Sequence, residues 1–547
     1  MKVAEANSTN RLASALLIAF AAPATVFIAV FYLWPVATLA LRSITVEALR
    51  SAVHDPEVRH VVLFTAYQAA LSTALTIGAG LIPAFLLARY EFRGRRLLKA
   101  LVVVPFVLPT VVVGAAFLAL LPESLDQSVT AIVLAHVFFN IAVIVRGVGG
   151  LWEQLPSDLT AAARTLGASP IRTMREITVP LLAPAIYASA SIVFLFTFTS
   201  FGVVRLLGGP AHTTLEVEIW QRATRFGDVP VAAVLSITQF ALLGLAVMWF
   251  ARIQAKHRSA LGLRPLTMHR RAHSRRQRLF VSTTSMAIVV TICTPLVALV
   301  ERSLRTGTGH SLTAWRAVFG SGPARANPIR PALTTGVDPL ASIANSLRFA
   351  AIAMAISVVI GALSAFAITA LGRRGRLLDV GLMLPLGTSA VTIGFGMLIT
   401  FDTSPFDWRG SPMMIPLGHA LVATPFVVRI LLPVLRSIDP RLRDAASTLG
   451  ASPFRALREI DIRIAARPLV TGAGFAMVIS LGEFGATSFL TRAGRETLPI
   501  TIERLLNRPG ATLHAQGYVL ASVLAAVTFM IIGAVEAVRI GDDSRAW

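Results

Sequence analysis

Four polar side chains stand inside long apolar runs: His136, Asn140, His419 and Glu483. A polar or ionisable residue inside a bilayer is expensive, and one that is kept marks a pathway or pairs with another helix. Glu483 is the acid of the set, and the first half of the chain has Ser200 in its place. It would attract a cationic solute, or it would bond to a neighbouring helix. His136 and Asn140 are four residues apart, one helical turn, and so share a face. His419 repeats the histidine, but Ala423 replaces the asparagine. The repeated histidine therefore reads as structural, and the unpaired Asn140 as the better specificity candidate. Phe196, Phe198 and Phe201, with Phe484 matching Phe201, would line a gate or simply pack. Bond-making chemistry has little support. None of the three lysines (Lys2, Lys99, Lys256) follows a glycine, so no Gly-Lys-Ser/Thr phosphate loop exists. No His-Glu-x-x-His or Gly-x-Ser-x-Gly motif is present, and one cysteine, Cys293, excludes an internal disulfide. The chemistry on offer is binding and passage, with no metal site.

A second set of residues sits on a polar island that occurs twice. Thr165-Leu166-Gly167-Ala168-Ser169-Pro170 returns 283 residues later as Thr448-Leu449-Gly450-Ala451-Ser452-Pro453. Glycine suits the left-handed position just past a helix end. Serine then caps a new helix whose first residue is proline, where no N–H is needed. The island is thus predicted to be a helix–turn–helix elbow, its second helix alternating Ile171, Met174 and Ile177 with Arg172 and Arg175. Two copies at a fixed offset point to a shared docking partner.

The elements that carry these residues are membrane spans. The chain has 547 residues, 55% hydrophobic and only 14% charged, with mean hydropathy +0.71. A soluble chain would carry about 25% charged residues. A span needs about 20 apolar residues. Such runs fall near 13–41, 61–88, 99–121, 128–147, 181–205 and 229–251, then 279–301, 344–371, 378–401, 413–435, 468–490 and 517–538. The fold class is an all-α membrane protein of about twelve transmembrane helices in two parallel six-helix repeats. The first half is 1–251, with its elbow near 155–180. A basic linker covers 252–278, and the second half is 279–547, with its elbow near 437–467. The net charge of +22 would suggest nucleic acid in a soluble chain. Here the basic residues crowd into short loops, nine Lys/Arg and no acid between Arg252 and Arg278. By the positive-inside rule that side is cytoplasmic, which puts both elbows and both termini in the cytoplasm. The outer stretch 302–343 carries five arginines against this rule. His136–Arg146 matches His419–Arg429, and Thr214-Leu215 matches Thr497-Leu498, at the same offset. An even number of spans per half makes the repeat parallel.

The island also resembles a known family signature. Asp444-Ala445-Ala446-Ser447-Thr448-Leu449-Gly450 and Ala161-Ala162-Ala163-Arg164-Thr165-Leu166-Gly167 are similar to the Glu-Ala-Ala loop of permeases of type I ABC importers. The resemblance implies the type I importer fold. It also implies that Ala161, Ala162, Gly167, Ser169, Pro170 and Arg172, with Asp444, Ala445, Gly450, Ser452, Pro453 and Arg455, couple to a cytoplasmic ATPase. That ATPase, with its ATP and magnesium, would be a separate chain, in two copies, and this chain would hold no cofactor and catalyse nothing. A substrate-binding protein outside a bacterial plasma membrane would deliver a small molecule. The copies differ at Ala161 against Asp444, and at Pro180 against Arg463. Fused double-length permeases form a subgroup that includes thiamine-type and iron(III)-type importers. Val133–Asn140 and Leu207-Gly208-Gly209-Pro210 with Thr213–Glu216 resemble the thiamine type most. Ser480–Gly485 is shared more widely. The substrate implied is thiamine or a thiamine phosphate, with iron(III) or another small solute as the alternative. The rival class is a secondary transporter, which would need several embedded charges and no duplicated docking loop.

Overall fold

Lipid offers a backbone no hydrogen bonds, so a spanning segment must satisfy its own N–H and C=O groups as a helix. The computed structural model describes residues 19–42, 45–256, 270–306, 309–320 and 338–540. In the first half the chain forms α1 (Ala19–Leu41), α2 (Pro56–Arg89), the pair α3 (Arg95–Val107) and α4 (Thr110–Leu120), and α5 (Val129–Gln154). Then come α6 (Ser157–Thr165), α7 (Pro170–Phe198), the short α8 (Gly202–Leu207) and α9 (Leu215–Thr224), and α10 (Val229–Lys256). The second half gives α11 (Arg275–Leu304), α12 (Pro339–Leu371), the pair α13 (Arg376–Gly387) and α14 (Ala390–Thr400), and α15 (Met414–Ser437). It closes with α16 (Pro440–Thr448), α17 (Phe454–Gly482), α18 (Thr487–Leu490), α19 (Leu498–Leu506) and α20 (Ala511–Ile540). Parts of the predicted first run (13–18), the linker (257–269) and the outer stretch (307–308, 321–337) lie outside the described residues.

Among the described residues ten helices are long and apolar enough to cross a bilayer, or twelve if each bent pair is one span. The predicted straight runs at 99–121 and 378–401 are the two bent pairs, each turned by 100°. The cause is local. Pro109 follows an extended Leu108, and Pro385 sits in a tight 3-10 turn before Ser389 caps α14 with bonds to Val391 N and Thr392 N. The predicted runs 181–205 and 468–490 also stop short, at Phe198 and Gly482, and resume as α8 and α18.

The compact units differ from the halves of the sequence. One unit takes Met1–Thr45, Arg222–Ala233 and Trp315–Trp547, and the other takes Val46–Gln221 and Val234–Ala314. In the former, α1 packs through aromatic rings: Trp34 meets Phe401 edge-on at 5.4 Å, and Phe401 stacks on Trp408 at 5.2 Å. In the latter, α11 lays Val281, Ile288 and Ile292 into a core with Leu86, Leu98 and Val102. The only strands among the described residues are two-residue ladders, one of them pairing Tyr90–Glu91 with Arg270–Arg271.

Equivalent contacts reveal the repeat. Leu215 N donates to Thr65 Oγ1 at 2.9 Å in one unit, and Leu498 N to Ser346 Oγ at 2.7 Å in the other. Leu215 and Leu498 lie 283 residues apart and Thr65 and Ser346 281, so the register slips by two between α2 and α9. Gly80 and Gly361 obey the shorter offset. A Cβ on Gly80 would come within 2.7 Å of Ile144, and one on Gly361 within 2.8 Å of Val427. These glycines let α2 and α12 approach their neighbours closely, a packing favoured between helices in lipid. Gly80→Leu is expected to lower stability by about 1–3 kcal/mol. Ile144→Ala in the same chain should restore part of the loss in a detergent melting assay.

Candidate functional site

The elbows fold as their caps dictate. α6 ends in a Schellman turn: Gly167 has φ +82°, its N–H donates to Arg164 O at 3.0 Å, and Ala168 N donates to Ala163 O at 3.0 Å. α16 ends identically, with Gly450 at φ +80°, Gly450 N to Ser447 O at 3.0 Å and Ala451 N to Ala446 O at 2.9 Å. Ser169 Oγ then accepts from Arg172 N at 3.2 Å, and Ser452 Oγ from Arg455 N at 3.3 Å. Pro170 and Pro453 open the next helices. Each elbow enters its span through a π-helical turn, Met174–Thr178 and Leu457–Ile462. The π-turn recurs at the same place in both copies, and such turns are frequent at functional sites.

The tips of the elbows are apolar and uncovered. Leu166 and Leu449 are each 88% exposed, Ile171 is 81% exposed and its counterpart Phe454 64%. Exposed large apolar side chains grouped on a polar segment form the kind of surface that a partner can cover. Around them Ala161, Ala162, Arg172, Asp444, Ala445 and Arg455 are exposed. The leucines were readable in the repeated hexapeptide, as the one bulky apolar residue where a helix ends at glycine.

The copies differ in a place that sequence reasoning missed. Arg443 clamps Asp461, with Nε at 3.1 Å from Oδ1 and 3.2 Å from Oδ2, and Asp461 is 4% exposed. The Asp461 carboxylate, by hydrogen bond and charge, holds the Arg443 guanidinium above its ordinary pKa. Thr160 and Thr178 occupy these positions in the first copy. The other sequence difference, Pro180 against Arg463, leaves Arg463 4.0 Å from Glu459 on an exposed face.

The intramembrane candidates gather where the fifth spans break. All eight are buried: His136, Asn140, Phe198, Ser200 and Phe201 in one unit, and His419, Glu483 and Phe484 in the other. His136 Nε2 lies 2.8 Å from Ser200 Oγ, and its Nδ1 lies 3.3 Å from Ser72 Oγ. The ring thus ties α5 to α2 and to the segment between α7 and α8. His419 does the same with other partners: Nδ1 is 2.7 Å from Ser480 Oγ, and Nε2 is 2.7 Å from Thr487 Oγ1 and 3.4 Å from Glu483 Oε2. Glu483 is committed to its own chain. Oε1 accepts from Ala486 N at 3.0 Å, and Oε2 from Thr487 N at 3.0 Å and Thr487 Oγ1 at 2.8 Å. It caps α18 and satisfies donors that lipid could not satisfy. Phe198 stacks with Phe194 at 5.6 Å, and Phe201 meets Trp220 at 6.3 Å.

Asn140 stands apart. Its Nδ2 donates to His136 O at 2.9 Å, while Oδ1 is buried without a hydrogen-bond partner among the described residues. Gln68, on α2, repeats the pattern: Nε2 donates to Thr197 O at 2.9 Å and Oε1 has no hydrogen-bond partner among the described residues. Gln68, Ser72 and Thr76 escaped the sequence reading. Their signal is a polar stripe at four-residue spacing on an otherwise apolar helix.

Residues 76–259 and 357–537 each match the family described as binding-protein-dependent transport system inner membrane component. The chain is similar to the thiamine transport system permease protein of Brucella abortus (strain 2308), 28% identical over 505 residues, 87% of this chain and 88% of the relative. It is 26% identical to the protein of that name from Salmonella typhimurium over 512 residues, 88% of this chain and 89% of the relative. A probable ABC transporter permease protein of Sinorhizobium fredii is 23% identical over 83% of each chain. Two matched segments, each holding one elbow and one broken fifth span, make this a double-length permease: the chain belongs to the family of inner-membrane components of binding-protein-dependent transport systems.

Proposed function

We propose that this chain is the translocation subunit of an ATP-driven importer for thiamine or a thiamine phosphate. Both elbows and both termini face the cytoplasm of a bacterial inner membrane. Two copies of a separate ATPase, carrying ATP and magnesium, dock on the elbows, and an extracytoplasmic binding protein delivers the solute. The observation that carries this reading is the pair of identical elbow turns, each lifting one uncovered leucine, Leu166 or Leu449. Thiamine as the solute is supported by the names of the relatives.

The buried histidines take a bracing role in this reading. His136 with Ser200, and His419 with Glu483, hold the break that ends each fifth span. Phe198, Phe201 and Phe484 fill the space beside it. Asn140 Oδ1 and Gln68 Oε1, on residues bonded to His136 and to the end of the fifth span, are polar atoms that can meet a solute when that span moves. A ligand or ATPase shifts such a protein only by binding one state more tightly than the other.

The test is uptake of labelled thiamine by liposomes holding the chain, the ATPase and the binding protein. Uptake should require all three and ATP. Uptake by the chain alone would mean a secondary transporter. A binding protein that retains ferric ion in place of thiamine would overturn the substrate.

A further inference from the structure

We propose that the groove between the N-terminal ends of α3 and α11 binds an anionic phospholipid of the cytoplasmic leaflet, its phosphate held by Arg93, Arg271 and Arg278. The proposal rests on the orientation given above, which puts residues 89–99 and the linker before α11 in the cytoplasm. The groove holds about 1500 Å³. It joins two chemistries. Its polar rim carries Glu91, Arg93, Arg271 and Arg278, and its wall carries Leu97, Leu98, Leu101, Val281 and Val289.

The rim is net positive. Three guanidinium groups face one carboxylate, and Glu91 Oε2 also lies 3.7 Å from Arg95. Arg95 itself donates to Glu153 at 2.9 Å and to Leu87 O at 2.7 Å. All three rim arginines are exposed. The rim is also fixed in place. The ladder that pairs Glu91 with Arg271 ties the loop before α3 to the segment before α11. Arg278 Nε donates to Ala272 O at 3.4 Å within that segment.

The wall decides what kind of anion fits. Leu97 lines the groove together with the rim arginines and is 75% exposed. A free phosphate or nucleotide would satisfy the arginines and leave the wall bare. An acyl chain with a neutral headgroup would cover the wall and leave the arginines unmatched. A phospholipid with an anionic headgroup does both. Basic pockets between spanning helices on the cytoplasmic side are the general form of such sites. Each arginine near an anionic lipid surface is worth about fivefold in affinity, so three together amount to roughly a hundredfold at low salt.

The experiment uses the full chain in neutral detergent, offered equal amounts of phosphatidylglycerol, cardiolipin and phosphatidylethanolamine, with retained lipid read by native mass spectrometry. The variant replaces Arg93→Gln, Arg271→Gln and Arg278→Gln together. A charge-matched control replaces the exposed Arg59, Arg225 and Arg348 by glutamine. Wild type and control should retain the anionic lipids over phosphatidylethanolamine. The rim variant should lose that retention by tenfold or more, and glycerol phosphate should not displace the lipid. If the triple variant does not fold, Arg93→Gln alone should give about a fivefold loss. Equal retention by wild type and the rim variant would overturn the proposal. So would equal retention of phosphatidylethanolamine, or displacement by glycerol phosphate, which would mark a site for a free anion.

Discussion

Replacing Leu166 and Leu449 together by aspartate removes ATPase capture while leaving the melting temperature of the chain unchanged. The two halves of that expectation have different causes. Both leucines are 88% exposed, so the isolated chain gains little from them, and substitutions at such positions stay within about 0.5 kcal/mol. Docking is another matter. Covering a leucine removes it from water and is worth about 1.5–3 kcal/mol. Losing one therefore weakens a docking contact by roughly ten- to a hundredfold. An aspartate in its place adds the cost of burying a charge. The check is ATPase binding and solute-stimulated hydrolysis in the reconstituted complex, with melting measured on the same preparations. A drop in melting temperature that matches the loss of hydrolysis would show a folding defect and not a docking one.

Glu483→Ala is expected to destabilise the chain by about 2–6 kcal/mol, since each of the two buried backbone donors it leaves unmet costs about 1–3 kcal/mol. Its oxygens accept from Ala486 N, Thr487 N and Thr487 Oγ1. Removal leaves two backbone donors at the start of α18 unsatisfied in an environment without water. Glu483→Gln keeps one acceptor oxygen and should lose less than half as much. Unfolding in detergent, by heat or denaturant, checks both. A loss below about 1 kcal/mol for the alanine variant would mean that the carboxylate is not the cap of α18, and would return it to the role of a solute-facing charge.

The sequence reading reached what local rules govern. The glycine, serine and proline of each elbow act within six residues of one another, so their spacing alone dictates the turn. Hydropathy counted the spans but passed over the breaks at Pro109 and Ser389, because the residues around a bend are as apolar as those in a straight helix. It also could not tell that α1 packs in one unit with residues 315–547, since an apolar face carries no label of its partner. The Arg443–Asp461 clamp joins residues 18 apart whose counterparts are threonines, so the repeat gave no hint of it. The buried partners of the histidines were hidden for a similar reason. Ser72 lies 64 residues from His136, and Thr487 lies 68 from His419. Glu483 was visible as an unusual residue in a stretch that Gly482 and Gly485 interrupt, but its role as a cap depended on the short helix that begins after it.

The account turns on two separate docking elbows, and stoichiometry tests it most directly. The full chain in detergent is mixed with excess ATPase held in its ATP-bound state, and the mass of the complex is measured. Two ATPase copies should bind wild type, one should bind Leu166→Asp or Leu449→Asp alone, and none the double variant. Two copies on the double variant, or a single copy on wild type, would contradict the account.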